Sequence, residues 1–288
     1  METFGTHTVY IPENNIKHNT HLASLIICII MLWLMSSCDM IESSPYDVHI
    51  TGEKHINQKN IDRIERALNG RTSIRFAMIS DTQRFYDETL DAVESINRRD
   101  DIDFVLHGGD LTDFGATREF LWQRDILNKL KVPYVCVIGN HDCLATGAEA
   151  FQAVFGSLNF AFNAGDVRFL CLNTNAMEFD HSVPVPDFSF IRQEINSVPE
   201  DVSKSVVLMH SPPFSEQFDN NIATEFHSLI KQMPDLQFCL YGHCHNLSVD
   251  DFFDDGTIYY ECTTVKKRAY LVFSINADNT YSYEVVNF

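Results

Sequence analysis

The chain has no basic tract; its longest Lys/Arg run is Lys266-Lys267-Arg268. With 21 Lys and Arg against 40 Asp and Glu, the formal net charge is -19, and a surface of that sign repels a phosphate backbone. A nucleic-acid partner, and with it a nuclease, is not expected. A small phosphorylated substrate stays open, because a bound cation locally reverses the field of a carboxylate cluster. No two cysteines form a Cys-x-x-Cys pair, which argues against a zinc-thiolate site. Cys136, Cys171, Cys239 and Cys262 lie in strand-like apolar runs, where free cysteine behaves as a small hydrophobe, so no disulfide framework is expected. Internal repeats and low-complexity segments are absent. No apolar run reaches the roughly 18 residues that mark a spanning helix.

What is present is a chain of 288 residues, 45% hydrophobic, enough for one large domain or two small ones with a real core. Near the start, Leu22 to Leu34 is almost uninterrupted apolar sequence, of the length of a signal-peptide core. It runs into Leu34-Met35-Ser36-Ser37-Cys38, which resembles the lipobox of bacterial lipoproteins. That resemblance implies export, a lipid on Cys38, membrane attachment and a place in the bacterial cell envelope. A retained membrane anchor and a buried core helix are the other readings. The organisation expected is an export segment over 1–38, a tether and peripheral helix over 39–71, and one domain over 72–288. In the tether, Glu42 to Ile56 is polar and aperiodic; in the helix, Ile61, Ile64 and Leu68 recur at helical spacing before Asn69-Gly70.

From Ile74 the pattern is regular. Strands are expected at Ile74 to Ile79, Ile102 to His107 and Val132 to Ile138, separated by a helix carrying Leu90, Val93 and Ile96 and another marked by Trp122, Ile126 and Leu130. Strand and helix alternate, which predicts an α/β fold with a parallel-rich sheet. A hairpin turning at Gly165-Asp166 follows, then a helix near Phe188 to Ile195, a strand at Ser205 to Met209, a helix through Phe226 and Ile230, and a strand at Leu236 to Tyr241. The remainder reads as strands. A mixed sheet and a mostly antiparallel sheet, packed together with helices outside, is the simplest arrangement.

Five of these strands end in residues of metal-ligand type. They are followed by Asp81-Thr82-Gln83, Gly109-Asp110-Leu111-Thr112-Asp113, Gly139-Asn140-His141-Asp142, His210 and Gly242-His243-Cys244-His245. Taken singly each has an ordinary explanation: Asp81 and Asp113 as helix caps, Asn140 as a turn residue, His210 as a satisfied core histidine. Together they place carboxylates and imidazoles at successive carboxyl ends of buried strands, where ligands bind in open α/β sheets and where unpaired charge is costly. His107 and His227 sit within apolar patterns and read as structural.

This ordered set resembles the signature of calcineurin-like metallophosphoesterases over about Ile74 to His245. The resemblance implies a four-layer α/β/β/α sandwich of two packed mixed β-sheets flanked by helices, and hydrolysis of a phosphate ester, carried by a small molecule or a phosphoprotein, with a metal-activated water. It implies two divalent metal ions, one held by Asp81, Gln83, Asp110 and His245 and the second by Asp110, Asn140, His210 and His243. Asp110 would bridge ions about 3.5–4 Å apart. The oxygen and nitrogen donor set suits Mn, Fe, Zn or Mg. Gln83 departs from the family pattern, which has His there. His141 is implied as general acid, and Asp113 as the carboxylate that orients it. Asn140 and Arg84 are candidate substrate contacts, and Phe85, Tyr86, Phe114 and Phe214 read equally as pocket lining or core. A metal-bound but inactive binding module on the same fold is the alternative.

Overall fold

In the computed structural model, which describes residues 5, 23–31, 44–180 and 182–288, side chains along the first strand alternate between two cores. On β1 (Ile74–Ile79), Phe76 and Met78 face one apolar cluster while Ala77 and Ile79 face another, the period of two that a strand imposes. The same split recurs on β2 (Phe104–His107) and β3 (Tyr134–Cys136), which extend β1 in parallel. On the other side β1 pairs antiparallel with β10 (Ala269–Ile275), and β10 with β11 (Tyr281–Asn287), giving the order β11-β10-β1-β2-β3.

The second sheet contains β4 (Phe160–Ala164), β5 (Val167–Leu172), β6 (Lys204–Met209), β7 (Leu236–Tyr241), β8 (Ser248–Asp250) and β9 (Tyr259–Glu261), in the order β4-β5-β6-β7-β9-β8. Its pairings β5-β6, β6-β7 and β7-β9 are parallel, so it is a mixed sheet and not the mostly antiparallel one expected. The C-terminal strands divide between the two sheets; they do not form one meander.

One core lies between the sheets, where Phe76, Phe104, Phe169, Phe238 and Phe273 pack ring against ring. A second lies under α2 (Tyr86–Asn97), α3 (Thr117–Leu127) and α4 (Gly147–Val154). The third lies under α5 (Phe188–Asn196) and α6 (Ala223–Ile230). These are the four layers α/β/β/α.

From Pro45 onward, the segment read as a tether and a peripheral helix is part of this unit. Helix α1 (Ile56–Leu68) buries Ile61, Ile64 and Leu68 in the core between the sheets. Its polar side chains close open strand edges. Asn57 Nδ2 donates to Cys136 O at 2.8 Å and Asn57 Oδ1 accepts from Cys136 N at 2.9 Å. Asn60 Nδ2 donates to Tyr134 O, and Asn163 N of β4 donates to Glu65 Oε1. An uncovered strand edge would leave these groups unpaired or free to recruit another chain. Before it, Ile50 enters the core and Arg124 Nη1 donates to the carbonyls of Thr51 and Glu53.

Residues 23–31 form an exposed helix in a separate unit. Among the described residues no helix is long and apolar enough to cross a membrane. Cys38 and the whole lipobox-like stretch lie outside them.

Candidate metal centre

The strands β1, β2 and β3 of one sheet and β6 and β7 of the other end at one edge of the sandwich, and the turns after them interlock. Asp81 N donates to Gly109 O at 3.1 Å, Gln83 N to Asp110 O at 3.1 Å, and His243 N crosses between the sheets to Asp81 Oδ2 at 3.2 Å. The backbone at Asp81, Gln83, Asp110, His243 and His245 has positive φ, from 38° to 77°. Each such residue costs about 1–3 kcal/mol and persists only where the surroundings enforce it. Five of the seven candidate ligands carry this strain, which folding alone does not select.

Close approach fixes two glycines. A Cβ on Gly139 would lie 2.1 Å from Asp110 Oδ1 and 2.2 Å from Asp110 N, and one on Gly242 would lie 2.7 Å from Asp81 Oδ2. Only a bare α-carbon lets these turns pack against the carboxylates.

Donor atoms then converge. Ligand atoms of Asp81, Asp110 and His210, all buried, lie within 4.8 Å of one another. His210 Nδ1 bonds to Gly108 O at 2.8 Å; a carbonyl only accepts, so Nδ1 carries the proton and Nε2 presents its lone pair. That Nε2 stands 3.4 Å from Asp110 Oδ1 and 3.0 Å from Asn140 Oδ1. His243 Nε2 lies 2.9 Å from Glu216 Oε1, which leaves Nδ1 facing the same Asn140 Oδ1 at 3.0 Å. With His210 neutral, several Lewis bases thus face one another, a donor set that suits a cation; with His210 protonated, its Nε2–H serves Asp110 and Asn140 instead. Asp81 Oδ1 is buried without a well-formed hydrogen bond, and His245 Nε2 stands 3.1 Å away.

Electrostatics agree. Burial pulls the His210 imidazole down, yet the Asp110 carboxylate outweighs it and pushes His210 up to about 9. Burial would raise Asp110, but His210 holds it below the ordinary carboxylate value. Behind the ligands, Asp142 accepts from the backbone N–H groups of Gly139, Leu111 and Thr112 and from Thr112 Oγ1. Burial and the neighbouring Asp110 push it up to about 7.

Three expected roles change. Gln83 reaches the centre, but its Nε2 donates to Asp110 Oδ2 at 3.3 Å; a carboxylate only accepts, so the amide turns its N–H and not its oxygen inward. His141 Nδ1 bonds at 2.8 Å to the backbone carbonyl of Asp113, not to its carboxylate. The Asp113 carboxylate is engaged instead by Arg84, bidentate at 2.8 and 2.9 Å. His141 N donates to Asp110 Oδ1 at 3.0 Å, which sets the residue directly against the centre. His107 is structural, as expected: Gly109 N donates to its Nδ1, so its Nε2–H donates to Thr82 Oγ1 at 3.0 Å, and burial pulls it down to about 4.

Glu216 and the bracing role of Asp142 were missed from the sequence. Asp142 closes the Gly139-Asn140-His141-Asp142 motif, which does not reveal its partners, and Glu216 lies in an irregular loop without a pattern. A cavity of about 540 Å³ lined by Val183, Pro184, Phe188 and Ile222 contains none of the candidate ligands.

Comparison with known proteins follows the same residues. A 3',5'-cyclic-nucleotide phosphodiesterase of Nostoc sp. is 24% identical over 180 residues, 60% of this chain and 66% of its own length. The chain thus spans just under two thirds of that relative. Among solved structures, a dimetal phosphatase from Danio rerio superposes with a TM-score of 0.55 at 15% identity, covering 70% of this chain and 93% of that one. The anchor in the inner membrane complex of Plasmodium also superposes with a TM-score of 0.55, at 11% identity over 75% and 84% of the two chains. Likeness at these identities shows a shared fold. The sequence model of the calcineurin-like phosphoesterase family matches residues 74–247, the span from β1 to just beyond His245. The chain belongs to the calcineurin-like phosphoesterase family.

Proposed function

We propose that this chain hydrolyses phosphate esters at a centre of two divalent cations, one held by Asp81, Asp110, His245 and the Gln83 carbonyl after a half-turn of its amide, the other by Asp110, Asn140, His210 and His243. The observation that carries this reading is the convergence of Asp81, Asp110 and His210 within 4.8 Å, beside a histidine fixed in one tautomer. Bound divalent cations supply charge neutralisation at the phosphoryl oxygens and lower the pKa of water. The residues do the rest. Asp110 Oδ1 accepts the His141 backbone N–H, which orients the carboxylate. His141 donates Nδ1–H to Asp113 O, which leaves Nε2 as the atom that, in the doubly protonated ring, gives its proton to the leaving alkoxide and returns to the neutral Nδ1–H tautomer. Arg84, exposed but held by two bonds to Asp113, offers its remaining N–H groups to a phosphate oxygen.

Small phosphorylated molecules and phosphoproteins both suit this chemistry. The name of the Nostoc relative favours including diesters. The same fold serves an anchor in Plasmodium, so fold alone does not fix turnover; the tautomer-fixed His141 supports an enzyme over an inactive metal-binding module. Lipid attachment at Cys38 and a cell-envelope location belong to the same proposal, and a Cys38→Ser chain that stays with membranes would refute the anchor. For the chemistry, His141→Ala is expected to keep its metal content and lose turnover of alkyl phosphates while retaining much of its rate on p-nitrophenyl esters. Wild-type rates on alkyl esters would overturn the acid assignment.

A further inference from the structure

The turn that carries His243 and His245 is only weakly held by packing. Cys244, Asn246 and Leu247 are exposed, and the His245 side chain is 41% exposed. Positive φ at His243 and His245 puts the backbone in a conformation that needs outside support. Hydrogen bonds have to supply it, and for His245 they come from β9 and the two residues after it.

Both ends of this turn are registered on one residue. Tyr241, the last residue of β7, lies opposite Glu261 in the parallel β7-β9 pair, and Ser248, the first of β8, lies opposite the same Glu261 in the antiparallel β8-β9 pair. The loop 242–247 thus opens and closes beside Glu261. Within it, Glu261 Oε1 accepts from Asn246 N at 2.6 Å, and Glu261 Oε2 accepts from Ser248 Oγ at 3.1 Å. Thr263 Oγ1 donates to His245 O at 2.7 Å. The carbonyl of His245 and the N–H of Asn246 belong to one planar peptide, so holding both fixes its rotation. A carboxylate is a costly choice for this task. Glu261 is buried, and burial together with the like charges of Asp81 and Asp250 pushes it up to about 7. His243 depends on other supports: its N–H is on Asp81, and its ring lies between Glu216 and Asn140.

We propose that Glu261 is the positioning residue for His245: it fixes the His245–Asn246 peptide, aims the imidazole at Asp81, whose Oδ1 lies 3.1 Å from Nε2, and thereby sets the affinity for the cation on that side of the centre. The inference rests on the two-cation reading and deepens it, since it gives the two halves of the centre separate supports. Groups that orient a metal ligand from behind govern affinity without touching the ion.

The test is calorimetric Mn²⁺ titration of the full chain, with thermal melting alongside; His245→Ala identifies which of the two affinities belongs to the His245 side. In Glu261→Ala that ion is expected to bind about 10–100-fold more weakly, while the affinity on the His210 side is unchanged. Glu261→Gln, whose amide oxygen still accepts from Asn246 N, should keep both affinities near wild type. Thr263→Val keeps the shape but removes the hydroxyl that holds the other end of the same peptide. It should weaken the same ion, and it decides the matter if Glu261→Ala fails to fold. Two unchanged affinities in Glu261→Ala, or in Thr263→Val where only that variant folds, would overturn the assignment. So would an equal loss of both affinities, which marks a support of the fold at large, or a loss in Glu261→Gln as great as in Glu261→Ala. A wild-type chain that binds no Mn²⁺ would instead overturn the two-cation reading itself.

Discussion

Placing a methyl group on Gly139 tests whether the turn after β3 holds the centre in register. The Cβ of Gly139→Ala would lie 2.1 Å from Asp110 Oδ1, 2.2 Å from Asp110 N and 2.8 Å from Asp110 Cα. Relief requires one turn to retreat by roughly 1 Å or more, since carbon reaches its optimal contact only near 3.5 Å. Two of the three opposing atoms are backbone, so rotating a side chain does not suffice. Metal–ligand distances tolerate about 0.2 Å, and disturbing even the groups behind a ligand costs about 10–100-fold in affinity. Displacing Asp110 itself is therefore expected to weaken metal binding by at least about 100-fold, or about 2.7 kcal/mol. The strain also lowers stability by about 1–3 kcal/mol. Gly156→Ala is the control: Gly156 has φ 120° and nothing within 4 Å of its Cβ position, so it bears backbone strain without touching a ligand. Titration with Mn²⁺ followed by thermal melting separates the two. Wild-type metal affinity in Gly139→Ala would refute the proposed role of Asp110 as the shared ligand.

Three further outcomes follow from the same geometry. Asp113→Asn removes the carboxylate that holds Arg84 but leaves the carbonyl that holds His141, so KM should rise severalfold while kcat changes little; a kcat loss as large as that of His141→Ala would restore the carboxylate as orienter. In the ion-free protein His210 is charged below about 9, so Mn²⁺ affinity should increase with pH from 6.5 to 8.5 with release of a proton; because its pKa is raised on folding, its stabilising contribution is complete below the unfolded value near 6.5 and fades as pH approaches 9. A pH-independent affinity would contradict this. Asn57→Leu leaves the N–H and C=O of Cys136 unpaired under α1 and should cost about 2–5 kcal/mol in urea unfolding; a loss below about 1 kcal/mol would mean that the edge is satisfied another way.

The ligands were legible in the sequence because each ends an apolar strand, and the parallel strands of both sheets carry their ends to one edge. What the ligands lean on was not legible. Whether Asp113 meets His141 through its carboxylate or its carbonyl depends on the path of the turn, not on spacing. Glu216 reaches His243 by the fold of a loop that has no period. In the helices, apolar periodicity reads α3 only in part: of Trp122, Ile126 and Leu130 the last two pack on the core while Trp122 is half exposed, and Phe120, Gln123, Arg124 and Leu127 are buried. Gln123 and Arg124 are inside because they donate to the backbone carbonyls of Gln83, Thr51 and Glu53, and periodicity counts such residues as solvent-facing. Asn57 and Asn60 on α1 are hidden from periodicity for the same reason. Helix α4 is not legible in the sequence, being short and opening on a glycine.

The central claim is that Asp81, Asp110, Asn140, His210, His243 and their neighbours hold two ions that make the chain a phosphoesterase. Equilibrium dialysis against Mn²⁺, with elemental analysis and parallel assay on p-nitrophenyl phosphate and bis-p-nitrophenyl phosphate, tests it most directly. Two ions per chain are expected, with turnover of at least one ester that rises as the second ion binds. A chain that takes up no ion, or holds two and hydrolyses neither ester, would contradict it.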